Sequence, residues 1–137
     1  MRCRATYLWA LVAACLISGP ASSAMAAEET PIALPSGLEA HLQETISDQP
    51  GSGLVYRFRF VAPAFTGQED FEAQTADLEH LCNDYALPRI PKLGPKPDRI
   101  VISLADQSSE FGRFDPDVMQ IFETFSLQSG TCILELF

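Results

Sequence analysis

The side chains able to do chemistry fall into a few groups. Asp106, Glu110, Asp115 and Asp117 crowd into one polar stretch. Paired carboxylates can run acid–base hydrolysis, and gathered carboxylates can hold calcium. The stretch lacks the regular ligand spacing and central Gly of a calcium loop. With 18 acidic residues in the chain, no pair is singled out. A small carboxylate-dependent hydrolase built on these four residues is the alternative reading; a solvated acidic loop is the simpler one. His41 and His80 are the only histidines. Zinc needs three or four convergent ligands, and His80-x-Cys82 on a helix sends its two side chains to different sides. There is no Gly-x-Ser-x-Gly elbow and no Gly-rich phosphate loop. The sequence nominates no catalytic residue, no metal ligand and no cofactor.

Binding residues are easier to nominate. The same polar stretch carries Phe111, Arg113, Phe114 and Asp115, two aromatic rings around a Gly-Arg pair, which suits a partner-contacting loop. Arg89, Lys92 and Lys96 lie in a basic, proline-rich segment that could dock an acidic partner or anionic ligand; the simpler reading is that Arg89 and Lys92 lie near a helix C-terminus, where the dipole favours cations. Arg57 and Arg59 alternate on a candidate strand, as an anion site or as a solvated face. Tyr56, Phe58 and Phe60, on the other phase of that strand, suit a core under a helix.

Compartment and charge narrow the partners. Met1-Arg2-Cys3-Arg4, the apolar run Ala5–Ser18, Gly19-Pro20 and Ala24-Met25-Ala26 have the anatomy of a secretory signal peptide, with cleavage expected after Ala26. Val12-Ala13-Ala14-Cys15 offers a rival reading as a lipobox, with Cys15 lipidated on a structural envelope protein. Removal of residues 1–26 leaves 111 of the 137 residues and takes Arg2 and Arg4. Seven basic residues then face 18 acidic ones, and the net charge moves from −9 to −11. Such a surface repels nucleic acid and anionic lipid. The expectation is a periplasmic or secreted protein with no membrane span after leader removal, meeting a protein or small-molecule partner in the cell envelope. Cys82 and Cys132 remain after cleavage and pair most simply as one disulfide in an oxidising compartment; no Cys-x-x-Cys spacing supports a redox pair.

The elements that must position these groups follow from periodicity. Ile100-Val101-Ile102-Ser103-Leu104 is apolar on both phases, as in a strand at the middle of a sheet. Leu38–Ile46 and Leu54–Ala62 alternate and flank a turn-rich loop, so they read as an antiparallel hairpin. Matching apolar faces sets Ile46 opposite Leu54 and Leu42 opposite Phe58, with Glu39 diagonal to Arg59 and Glu44 out of phase. Thr66-Gly67-Gln68-Glu69 matches a capping box, and Phe71, Thr75, Leu78, Cys82 and Tyr85 form a helical stripe. Leu87–Pro97, with four prolines, reads as an extended connector. Ile121–Leu127 and Thr131–Leu136 read as two strands; a helix over Pro116–Phe125 is the competing assignment. The order β-β-α-β-β-β predicts an α+β two-layer sandwich, a mainly antiparallel five-stranded sheet covered by one helix, with one disulfide and a single domain over residues 27–137.

Tyr85-Ala86-Leu87-Pro88, Val101–Asp106, Phe111-Gly112 with Asp115-Pro116, and Phe122-Glu123-Thr124-Phe125 followed by Gly130-Thr131-Cys132-Ile133 resemble a family of small exported alphaproteobacterial proteins classed as a domain of unknown function. The resemblance runs from about Ile32 to Phe137 and implies no catalytic residue. Members of that family sometimes carry the label acetolactate synthase, which does not transfer: the Gly-Asp-Gly segment and following Asn pair of such enzymes are missing here. The sequence therefore points to a non-catalytic binding or accessory module.

Overall fold

The computed structural model describes residues 30–51 and 53–136. The leader, its cleavage after Ala26 and the lipidation reading of Cys15 lie outside them. Six strands form a single sheet in chain order: β1 (Ile32–Ala33), β2 (Glu39–Asp48), β3 (Val55–Val61), β4 (Arg99–Ala105), β5 (Gln120–Gln128) and β6 (Thr131–Leu134). All neighbours are antiparallel except β3 and β4. A parallel pair needs a long crossover, and residues 62–98 supply it with α1 (Phe71–His80), a wider π-type stretch (Leu81–Ala86) and α2 (Leu87–Leu93).

The two-layer, five-stranded sandwich is overturned. The sheet has six strands and curls into a half-barrel. The helix lies within its concave side and is not a second layer on a flat sheet. Strand twist and a bulge in β2 roll the sheet in this way. Tyr56, Phe58 and Phe60 of β3, Ile100, Ile102 and Leu104 of β4, and Phe125 of β5 point inward against Leu78, Leu81, Tyr85, Ala86 and Ile90. Phe60 and Tyr85 meet edge to face, 5.2 Å between centroids. Cys82 and Cys132 form a disulfide, which joins the helix to the last strand with Cα atoms 6.2 Å apart. Beside it, Asn83 Oδ1 accepts the Cys132 amide at 3.0 Å.

The expected hairpin register is also corrected. Leu42 faces Phe60, not Phe58, and beyond a bulge at Gln43 the partners are Glu44–Arg59, Thr45–Phe58 and Ile46–Arg57. The extra residue flips the phase of β2. That is why Glu44 looked out of phase: it shares a face with Arg59 and is ion-paired with it, where the expected register had set Glu39 diagonal to Arg59. At the other hairpin the turn is only Ser129-Gly130, with φ values of 52° and 74°. Two left-handed residues suit a tight hairpin between twisted strands. Gln120–Gln128 is a strand, not the competing helix.

Around the helix three expectations change. Asp70 caps the first turn, its carboxylate accepting the Ala73 amide at 2.8 Å. Thr66 and Glu69 still bond to each other, but in the turn before the helix. Phe71, assigned to the inner stripe, is 68% exposed. The connector is not extended from Leu87 onward, because helix continues to Leu93 through Pro88 and Pro91. Pro88 lies directly after the π-type turn, in a run that is helical on both sides. The π-type turn ends on the Leu87 amide donating to the Cys82 carbonyl, and Arg89 donates from its side chain to the Tyr85 carbonyl at 2.8 Å. The buried Asp77 carboxylate accepts from the Ser36 amide at 3.0 Å and hydroxyl at 2.6 Å, which ties α1 to the turn after β1.

Two outcomes follow. The disulfide closes a separation of 50 residues. Replacing Cys82 and Cys132 together by Ala should lower the urea-unfolding free energy by about 4 kcal/mol on the chain-entropy account; an unchanged midpoint would refute a structural role for the bond. Burial pulls the Glu69 carboxyl upward, but hydrogen bonds from the Glu69, Thr66 and Gly67 backbone and the Thr66 hydroxyl outweigh it, holding its pKa below the ordinary 4.5. A depressed carboxyl stabilises the fold above its unfolded pKa and loses that contribution as pH falls through the folded one. The stability gap between wild type and Glu69→Gln should therefore narrow on acidification from about pH 6 to about pH 3; a gap that stays constant contradicts the assignment.

Candidate functional site

The convex face of the sheet is polar along β3, where strand alternation turns Arg57 and Arg59 outward. Arg59 is nonetheless only 5% exposed. The loop between β4 and β5, residues 106–119, folds back over it. Arg59 Nη1 donates to Glu44 Oε1 and, at 2.9 Å, to the Ser109 carbonyl; Nη2 donates to the Ser109 hydroxyl at 3.0 Å. Gln43, the bulged residue, donates from Nε2 to the same carbonyl at 2.8 Å and accepts the Ser109 amide at 3.4 Å. One bulge thus aims two successive side chains of β2 at a single loop residue.

Pinned at Ser109, the loop stands off the sheet further on and leaves a cleft of about 230 Å³. Its floor is Arg57, Arg59, Val101 and Ser103; Phe111, Arg113 and Phe122 are among its walls. The guanidinium carbons of Arg57 and Arg59 lie 5.5 and 5.6 Å from the Phe111 ring centroid, in cation–π range. Arg57 donates through Nε to Asp48 at 3.4 Å. Arg113 pairs with Glu110 at 3.1 Å on the open rim. Ser103 is 5% exposed, and its buried hydroxyl has no hydrogen-bond partner among the described residues.

The nominated residues divide accordingly. Phe111 and Arg113 line the cleft, while Phe114 and Asp115 border a neighbouring depression, with Phe114 89% exposed. Arg89, Lys92 and Lys96 sit on α2 and just past it, on the helix side of the sheet, so the two nominated surfaces do not meet. The Arg89 guanidinium stacks on Tyr85, 3.4 Å from its centroid. Arg57 and Arg59, weighed as an anion site, are the cleft floor. Sequence reasoning missed Ser103, Val101 and Phe122. The only signal for Ser103 was a hydroxyl inside an otherwise apolar run.

Three of the four loop carboxylates hold local structure. Asp106 accepts the Met119 amide at 3.0 Å, Asp115 accepts the Asp117 amide at 3.0 Å, and Glu110 holds Arg113. Glu110, Asp115 and Asp117 are exposed. No group of three or more His, Cys, Asp or Glu gathers for a metal among the described residues. The arrangement can bind and orient a ligand, with guanidinium donors and apolar walls.

Because Arg59 carries the charged half of the contacts to Ser109, beside those of Gln43, Arg59→Met should loosen the loop while keeping the aliphatic stem. Amide hydrogen exchange over residues 107–113 should accelerate, with a stability loss of about 2 kcal/mol for the charged hydrogen bonds removed. Unchanged exchange in that loop would show that Arg59 does not anchor it.

Comparison with curated proteins and with solved structures finds no match. Residues 14–137 match the model of the Family of unknown function (DUF6497), nearly the whole chain, and the protein belongs to that family.

Proposed function

We propose that this protein is a non-catalytic binding or accessory module of the cell envelope, and that its ligand-facing surface is the cleft beneath residues 109–113. One observation carries the reading: a buried guanidinium, costly to desolvate, is spent on fastening a loop across the sheet so that an aromatic ring overhangs two arginines. Preformed concave sites with apolar walls and a few placed polar groups are where small ligands bind. The acidic surface disfavours nucleic acid and anionic membrane as partners.

The test is a fragment screen on the folded, disulfide-bonded protein by amide NMR, with neutral, cationic and anionic fragments in the panel. Hits should perturb Val101, Ser103, Phe111 and Phe122 together, and Phe111→Ala should weaken them by about tenfold. Hits that cluster elsewhere, or that bind Phe111→Ala equally well, would remove the cleft as the site.

A further inference from the structure

We infer that the cleft takes a small organic acid: one carboxylate carried on an apolar body the size of a single ring or branched alkyl group. The inference rests on the cleft being the ligand site and adds the chemistry of what enters it.

The hydrogen-bonding capacity left over is almost all donor. Arg59 is largely engaged, since three of its five N–H donors go to Glu44 and Ser109. Arg57 is not. Its one bond runs from Nε to Asp48, and neither terminal nitrogen is bonded among the described residues. Its guanidinium, 24% exposed at the side chain, keeps two donors that can meet a carboxylate side by side. Ser103 adds a buried hydroxyl with no acceptor. It sits one strand over and two residues along from Arg57, since Arg57 pairs with Val101 and Arg59 with Ser103. Leaving such a hydroxyl unpaired is unfavourable, and a ligand oxygen would relieve it. Arg113 completes the set. Its pair with Glu110 is exposed on both sides, 77% and 70%, and such pairs contribute little and yield readily.

Charge agrees with this inventory. The residues that line the cleft include three arginines and one carboxylate, Glu110. Asp48 and Glu44 lie on β2 and are not part of the lining. A cationic ligand would meet three arginines, with only the Gln120 amide oxygen, the Ser103 hydroxyl and the Glu110 carboxylate, itself paired with Arg113, as acceptors. The rest of the ligand is mainly apolar, because Val101, Phe111 and Phe122 supply most of the remaining lining, beside Gly112 and the Gln120 amide. A volume of about 230 Å³ exceeds the roughly 150 Å³ that suffices for benzene, and so admits a ring with a carboxylate but little more.

The experiment is an NMR titration of the folded protein with four probes: phenylacetate, phenylacetamide, phenethylamine and inorganic phosphate. Phenylacetate should bind in the millimolar range or better and shift the Val101, Ser103 and Phe111 amides. The amide and the amine should bind at least about tenfold more weakly, as should phosphate, which lacks the apolar body. Arg57→Gln should cost phenylacetate about tenfold, and Arg57→Lys, which keeps the charge but loses the fork, an intermediate amount. Circular dichroism of each variant confirms that it is folded. Equal binding of phenylacetamide overturns the acid specificity while leaving the cleft as a ligand site. Phosphate binding as well as phenylacetate overturns the apolar half. No shift with phenylacetate overturns the inference outright, whereas neutral hits at the same amides in the fragment screen would still support the cleft.

Discussion

A guanidinium buried to within 5% of full enclosure must have its charge and donors matched, and Arg59 imposes that requirement on this fold. Withdrawing such a group from water costs several kcal/mol unless hydrogen bonds compensate. Strand β3 cannot supply them, since its backbone is committed to β2 and β4. The acceptors come from elsewhere: the Glu44 carboxylate, and the carbonyl and hydroxyl of Ser109. Meeting both conditions fixes two remote features at once. Strand β2 must carry a bulge so that Gln43 and Glu44 both reach the convex side, and the β4–β5 loop must return across the sheet. The cleft is the gap left where that loop, held at Ser109, arches toward β5.

The concave side obeys a different constraint and is nearly independent of the first. There the helix is held at three separated points. Asp77 takes the turn after β1, the disulfide and Asn83 take β6, and the Tyr56 hydroxyl donates to the Pro95 carbonyl at 2.8 Å just beyond α2. The apolar residues between these ties fill the half-barrel. Interiors at this packing density transmit strain but change shape little. A loop resting on the outer face can therefore adjust around a ligand while the sheet beneath it stays rigid. Functional groups on a loop over a stiff scaffold are a common division of labour.

Much of this was legible in the residues, and the failures have physical causes. The middle strand announced itself through apolar side chains on both phases, because β4 is covered by the helix on one side and by the folded-back loop on the other. Cys82 and Cys132 are the two cysteines outside the expected leader, and they pair. The β2–β3 register was not legible, because matching two alternating patterns assumes unbroken alternation, and one bulged residue shifts everything after it. Glu44 was the clue: a carboxylate on the apolar phase signals that the phase has changed. The prolines of α2 misled for a similar reason. Proline disfavours helix by removing an amide, yet the run stays helical on both sides of Pro88, and a neighbouring arginine donates to a carbonyl there. Ser103 was invisible as a site residue because its neighbours across the sheet, Arg59 and Phe122, are distant in sequence.

A cleft lined by three arginines, each paired with a carboxylate, has a selectivity of its own in so acidic a chain. Beyond a Debye length of about 8 Å at physiological salt the net charge of −9 is largely screened; closer in, an anion meets the acidic surface and the local arginines together. Repulsion near the surface grows with the charge of the approaching molecule, whereas the open donors inside are those of Arg57 and, where Glu110 gives way, Arg113. A polyanion therefore meets the larger repulsion, while a monoanion meets the least and can use the whole site. The apolar walls sharpen this further, since a strongly hydrated anion gains nothing from Val101, Phe111 and Phe122 in return for shedding water. Charge balance and lining together favour singly charged, partly apolar ligands, and they do so through contacts that the anchoring of Arg59 must already have put in place.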